Sequence, residues 1–405
     1  MNRHFVLPRV LKIAAVDFPA EDVARLRSVV RPGVAAFLAP NHPEFVTDWL
    51  IDKEISRRVS PLMAHWASYE VVNIHPAVQW LCLRNNLISN APGGSGRDYS
   101  VRWARAGHGV LLHPEGAPSW HGDHVGPLVS GIVDMAWDAR RQGGEPVFIV
   151  PVVWKFHFGQ DVSSALRGAI TRIETALGIS SRPKESLEQR FAALQGAVLA
   201  RSLAQYSSPD ARRAEQIPVP EFFSVQSAHA DRLLEGLESR HGLRADGDGD
   251  PAAGDRARRV HRVRRAIHTF RTIDATGARR ERRILAEIER LGHFSREHYS
   301  GSTLSQEQIA ESVTQTRLAL VTHGWREGLY GILPVAVAPR TASIRVLDPI
   351  PIRLEPPGIG DDAPARASLL RDLRDRLRGG LDRLNAGLES RRVHRHPNPF
   401  ANSAT

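Results

Sequence analysis

Residues 31–48 read RPGVAAFLAPNHPEFVTD, and the fold class turns on this stretch. Arg31-Pro32-Gly33 is a turn signal, and Val34–Ala39 is a short apolar run of the kind buried in a sheet. From Phe45 to Val59 the period changes, with Phe45, Trp49 and Leu50 recurring at helical spacing. A strand that passes through a polar loop into a helix is the repeating unit of α/β proteins.

Outward from this unit the alternation continues. Tyr69–Ile74 reads as a strand, Ala77–Asn86 as an apolar helix, Gly-rich Pro92–Gly96 as a loop and Tyr99–Ala106 as another helix. Val110–Leu112 is a short strand, Leu128–Arg140 a helix and Val147–Trp154 a strongly apolar strand. The pattern predicts an α/β fold, a mixed sheet flanked by helices. After Gly159 helical patterns dominate: Leu187, Phe191, Leu194 and Val198 share one face, and Ser305–Gln308 resembles a capping box opening a helix through Leu320. Strand-like patterning returns at Ile332–Val337 and Ser343–Leu347. A final helix carries Leu370, Leu373, Leu377, Leu381, Leu384 and Leu388, with Gly379-Gly380 expected to weaken its middle. The chain thus divides into a core over 1–160, a helical Arg-rich insertion over 161–330, returning core strands over 331–356, and a C-terminal helix with a disordered tail over 357–405. Polar, Gly-rich 244–256 and the tail from His394 read as unstructured.

Across its 405 residues the chain carries 54 Lys+Arg against 44 Asp+Glu, a net charge of +10, and only Lys12, Lys53, Lys155 and Lys184 are lysines. The excess points to phosphate-bearing partners: an anionic membrane surface, coenzyme phosphates or nucleic acid. Cys82 is the single cysteine, which excludes an intramolecular disulfide framework and a Cys-based zinc site. Pro8, Arg9 and Lys12 interrupt the apolar residues between Phe5 and Val16, so they form neither a secretory leader nor a membrane span. The expectation is a cytoplasmic protein, its membrane contact limited to the periphery. Gly93-Gly94-Ser95-Gly96-Arg97 lacks the last glycine of a nucleophile elbow, and Gly107-His108-Gly109 lacks the third dinucleotide glycine.

Three stretches carry residues suited to chemistry. Asn41-His42-Pro43-Glu44 with Asp48 places an imidazole and a carboxylate just after the first strand, an arrangement for base catalysis on a hydroxyl. His113-Pro114-Glu115-Gly116 again follows a strand, where a glycine allows close backbone approach to a ligand. Phe148–Val153 is a strand that holds Pro151, a residue rare in central strands because it cannot donate to the ladder. His113, His121, Asp123 and His124 are of metal-ligand type, but their spacing matches no specific site.

In this order and spacing the stretches resemble the lysophospholipid acyltransferase family, typified by 1-acylglycerol-3-phosphate acyltransferases. That family shows Asn-His…Asp after a strand, then Phe-Pro-Glu-Gly-Thr-Arg, then a Val/Ile-Pro-Val strand. Asn41, His42 and Asp48 match the first block, Pro114, Glu115 and Gly116 the next, and Val150, Pro151 and Val152 the last. Leu128–Gly131 and Ile344–Ile352 add weaker likeness, and the resemblance spans roughly 30–155 and 331–352. It implies a glycerolipid acyltransferase-like core and acyl transfer from acyl-CoA or acyl carrier protein to a lipid hydroxyl. His42 and Asp48 would be catalytic, the His as general base, and Asn41, Glu115, Gly116 and Pro151 would shape the acceptor site. Amides near Gly116 would receive the oxyanion. No metal, bound cofactor or covalent enzyme intermediate is implied.

The chain departs from that pattern in places. Five residues lie between His42 and Asp48 where the family has four, and Glu44 competes as the partner of His42. The stretch Ile88–Gly94 lacks the family's Arg, and Pro118 stands where the later block carries another. A phosphomonoester needs such a guanidinium fork, so Arg84, Arg97 or Lys155 would have to compensate, or the acceptor is not lysophosphatidate. Apart from the resemblance, Arg256–Arg283 concentrates basic residues for an anionic lipid surface or nucleic acid. Phe270 is its lone aromatic, which disfavours base stacking.

Overall fold

Residues along Ala35–Pro40 alternate between two buried apolar layers. Ala35, Phe37 and Ala39 join one cluster and Ala36 and Leu38 another. A strand covered on both faces needs no polar alternation, which is why this segment reads as a continuous apolar run. The same parity holds in Val147–His157, where Val147, Ile149 and Val153 face the first cluster and Val150, Val152, Trp154 and Phe156 the second.

The structure is a computed structural model describing residues 2–67, 72, 75–90, 94–210, 217–243, 254–270, 274–299, 301–322, 336–353, 362–389 and 395–401. Its contacts divide the chain into two units, 1–159 with 332–392, and 160–331 with 393–405. The first unit holds a helical stretch Asn2–Val10, then β1 (Ile13–Asp17), α1 (Ala20–Val29), β2 (Ala35–Pro40), α2 (Val46–Val59), β3 (Ala64–Ala67), α3 (Pro76–Arg84), β4 (Leu87–Ser89), α4 (Gly96–Arg105), β5 (Val110–Leu111), α5 (Gly131–Gln142) and β6 (Val147–His157). The second holds α6 (Ser163–Leu177), α7 (Leu187–Gln205), α8 (Phe222–Arg240), α9 (Gly254–Phe270), α10 (Ala275–His293), α11 (Arg296–Tyr299), β7 (Thr303–Ser305) and α12 (Gln306–Leu320). The chain then returns to the first unit with β8 (Arg340–Val346), β9 (Ile350–Pro351) and α13 (Ala363–Glu389), and ends in the second with β10 (Arg395–Pro397).

The first unit is an α/β structure around an 8-stranded, mostly parallel mixed sheet in the order β1-β8-β6-β2-β5-β3-β4, with β9 also on β6. The antiparallel pairs are β6 with β8 and β6 with β9, so β1, β8 and β9 run opposite to the other strands. Helices α4, α5 and α13 pack on one face, and α1, α2 and the N-terminal stretch on the other. Pro151 is tolerated in central β6 because its carbonyl, and so its nitrogen, faces the break between β8 and β9. There Leu347 N–H donates to the Pro151 carbonyl at 3.0 Å and no ladder donor is required of residue 151.

Several expectations are corrected or refined. The strand at Tyr69–Ile74 falls almost wholly outside the described residues, while β3 precedes it and β1, α1 and β4 carried no sequence signal. Pro92 and Gly93 of the Gly-rich loop, and most of 244–256 and Ile332–Val337, likewise lie outside the described residues. The tail is not featureless: β10 pairs antiparallel with β7, and Phe400 packs into the Phe191, Phe222, Phe223 and Phe294 cluster. Helix α13 runs through Gly379-Gly380 unbroken. A Cβ at Gly380 would stand 2.5 Å from Leu347 Cδ1, so the glycine permits close approach. The Ser305 capping box forms as read, Ser305 Oγ accepting from Gln308 N at 3.2 Å and Gln308 Oε1 from Ser305 N at 2.9 Å.

Gly107 closes α4 against the turn that launches β2. Its φ is +87°, and an added Cβ would lie 2.5 Å from the Arg31 carbonyl carbon and oxygen. Gly107→Ala is therefore expected to destabilise the protein by about 2 kcal/mol or more, since both the backbone conformation and the space are denied to a side chain. Urea denaturation followed by tryptophan fluorescence reads this directly.

Candidate active site

The loops that leave the ends of β2 and β5 meet, because these strands pair in parallel with Phe37 opposite Val110 and Leu38 opposite Leu111. The crevice beyond the carboxyl ends of such strands is where α/β sheets bind ligands. Here it holds His42. Its Nδ1 lies 2.8 Å from Asp48 Oδ2, and its Nε2 has no hydrogen-bond partner among the described residues. The side chain is 12% exposed, so the open nitrogen sits at a surface of limited access.

The six-residue separation is absorbed by the Pro43–Phe45 turn, after which Asp48 falls in the first turn of α2. A carboxylate there meets the positive end of the helix dipole. Asp48 is fully buried, and its oxygens accept from His42 Nδ1–H, from Glu44 N–H at 2.8 Å and from the Trp154 indole at 3.2 Å. Burial, then the Glu44 and Asp52 carboxylates, push its acid upward against those donors. Burial, then the His113 ring, push His42 well below the ordinary value, so its imidazole is neutral with a lone pair at Nε2. Glu44 is not the rival partner: its carboxylate is held by Arg340, with Nη2 to Oε2 at 2.8 Å.

Asn41 and Glu115 frame His42 with their side-chain nitrogen and oxygen atoms engaged. The Asn41 amide donates to the Trp154 carbonyl at 3.0 Å and accepts from Trp154 N–H at 2.9 Å, extending the β2–β6 ladder by a side chain. Glu115 accepts from His42 N–H at 2.6 Å and from Gly126 N–H at 2.7 Å, joining the two loops, and burial raises its acid. From the other side Ser119 N–H donates to the His42 carbonyl at 2.7 Å. Beside it Trp120 holds φ +61°, a strained conformation for a bulky residue. Gly116, at φ +71°, donates its N–H to the His113 carbonyl at 3.2 Å, so that amide is not open to an oxyanion as expected.

The cationic candidates are elsewhere. Arg84 is exposed and stacks over Trp80 at 4.6 Å, and Arg97 pairs with Asp138. Neither joins the His42 cluster. Lys155 is fully buried, bonded to Asp123 and, at 3.0 Å, to Asn385 Oδ1, so it anchors the 119–126 loop to α13. Among the described residues no group of three or more His, Cys, Asp or Glu is placed to hold a metal ion.

No family model matches the chain, and no curated protein matches it. The site therefore speaks through its own chemistry: a neutral imidazole, oriented by a buried carboxylate, with one nitrogen open at a sheet edge.

Sequence reading missed Trp154, which orients Asp48, and the buried Asp52, His65 and Ser56 beside His113. Asp52 lies four residues after Asp48 on α2, a spacing that shares a helix face and was a usable signal. His65 gave none, since β3 itself was not read.

The cluster also sets acid stability. Burial lowers His42 and His65 from 6.5, so in the folded state these rings resist protonation that the unfolded chain accepts. Stability is complete above that value and declines as pH falls below it. Asp52 is shifted downward too, but by its partners and not by burial: burial opposes its ionisation, yet His113 and His65 hold it at about 2 against 3.8, so its contribution persists above 3.8 and is lost toward 2. Melting temperature measured from neutral to acidic pH should fall in these two stages.

Proposed function

We propose that this protein is an acyltransferase that moves a fatty acyl group from acyl-CoA or acyl carrier protein to a hydroxyl of a lysophospholipid or related lipid, with His42 as general base and Asp48 as its partner. The observation that carries the reading is the His42–Asp48 contact of 2.8 Å with Nε2 left open beyond the ends of β2 and β5. Nε2 takes the proton of the acceptor hydroxyl as its oxygen attacks the thioester carbonyl. The carbon–sulfur bond then breaks, and the imidazolium returns the proton to the leaving thiolate. Asp48 fixes the Nδ1–H tautomer and stabilises the charge that forms on the ring. Asn41 and Trp154 act through Asp48, and Glu115 and Ser119 through the His42 backbone.

The likeness to a glycerolipid acyltransferase core rests on the order of the motif blocks around this sheet. The acceptor differs from a phosphomonoester in this reading, since Pro118 and the Ile88–Gly94 stretch lack the expected guanidinium groups and Lys155 is committed to Asp123 and Asn385. No helix among the described residues is long and apolar enough to cross a membrane. Docking from the cytoplasm onto an anionic surface is supported by exposed Arg258, Arg265, Arg279, Arg280, Arg282 and Arg283 on α9 and α10. Other arginines there are neutralised, Arg256 by Asp231, Arg259 by Glu238 and Arg264 by Glu289. A binding protein without catalysis, acting through 256–283, would not account for the open His42.

Thioester release from acyl-CoA and acyl carrier protein, assayed across lysolipid and alcohol acceptors, tests the reading. Release that needs an acceptor hydroxyl supports it. No release with any acceptor overturns it, and strong activity restricted to lysophosphatidate overturns the acceptor assignment.

A further inference from the structure

A second histidine lies against the first. The rings of His42 and His113 are stacked, with centroids 4.1 Å apart and planes inclined by 21°. His113 is gripped at both nitrogens, Nδ1 lying 3.0 Å from the Asn41 backbone carbonyl and Nε2 3.2 Å from Asp52 Oδ2. A carbonyl only accepts, so Nδ1 donates, and an ionised Asp52 accepts at Nε2; a ring carrying a proton on both nitrogens satisfies both contacts. Asp52 is buried on α2 and keeps its negative charge there, as its low acid value requires. The edge of Trp154 meets His113 at 5.5 Å and 85°, which fixes the plane of the stack.

We propose that His113 is a positioning residue for His42: a protonated ring, held by Asp52 and the Asn41 carbonyl, that stacks on His42 and keeps it unprotonated into mildly acidic solution. The inference rests on reading His42 as a base. Charged and titratable groups reach the pair from each neighbouring element. Asp48 and Asp52 come from α2, His65 from β3 behind Asp52, and Glu115 from the loop after β5. Glu44, in the His42 turn, is paired with Arg340 of β8. The Asp52 charge favours a protonated His42, while burial and the adjoining His113 oppose it and prevail.

The test is a pH titration of the histidine rings in the ¹⁵N-labelled full chain by two-bond ¹H–¹⁵N spectra. In the native protein His113 should show both nitrogens protonated near neutral pH. His113→Phe should raise the His42 midpoint by about one pH unit or more. The double variant Asp52→Asn/His113→Phe leaves no buried carboxylate unpaired and should show a smaller rise in the same direction. A His113 ring carrying one proton at neutral pH, or an unmoved His42 midpoint in a folded variant, overturns the proposal. A shifted midpoint in a protein that transfers no acyl group leaves the stack standing and removes the enzymatic reading instead.

Discussion

His42→Ala is expected to reduce acyl transfer by about 10²–10⁴-fold, the usual worth of a positioned general base. The substitution removes the ring whose Nε2 has no partner among the described residues, while Asp48 keeps its bonds from Glu44 N–H and the Trp154 indole. The backbone bonds of residue 42 to Glu115 and Ser119 need no side chain and remain. Melting temperature should therefore stay close to that of the native protein. Thioester release at saturating acceptor measures the loss, and a variant with near-native rate would remove the base from the mechanism.

Asp48→Asn should cost activity on a similar scale, about 10²-fold or more, but with a different companion effect. An amide cannot stabilise the imidazolium, and its NH₂ group can force His42 into the wrong tautomer. Stability should be unchanged or raised, because Asp48 is fully buried and pushed toward its neutral form by burial and by the Glu44 and Asp52 carboxylates. A falling rate with a steady or rising melting temperature is the mark of a charge kept for chemistry. Equal loss of both would make Asp48 a structural residue.

Much of the fold was legible because burial on both faces leaves a plain signal. Val34–Ala39 and Val147–Trp154 could be read as strands from their unbroken apolar runs, and the Ser305 cap from its own residues. β4 and β5 span Leu87–Ser89 and Val110–Leu111, and strands so short lie near the limit of periodicity. The tail was misread because Arg395–Pro397 is polar and becomes a strand only through its partner β7.

At the site, His42, Asp48 and Glu115 were singled out by residue type and place, which follow from where a strand stops. Their roles as partners did not follow. Sequence favoured Asp48 as the partner of His42 but left Glu44 as a competitor; Arg340, almost three hundred residues away, takes Glu44. Asn41 and Glu115 looked like ligand contacts, and only the approach of β6 and the 119–126 loop shows their polar atoms already spent. Nothing along the chain says that the His113 ring meets two acceptors, one supplied by β2's end and one by α2. Composition and local pattern act over a few residues, so they determined the layers, the strand ends and the kinds of side chain found there. Protonation, pairing and the identity of the free nitrogen depend on desolvation and on neighbours distant in sequence, and those exist only once the sheet has closed.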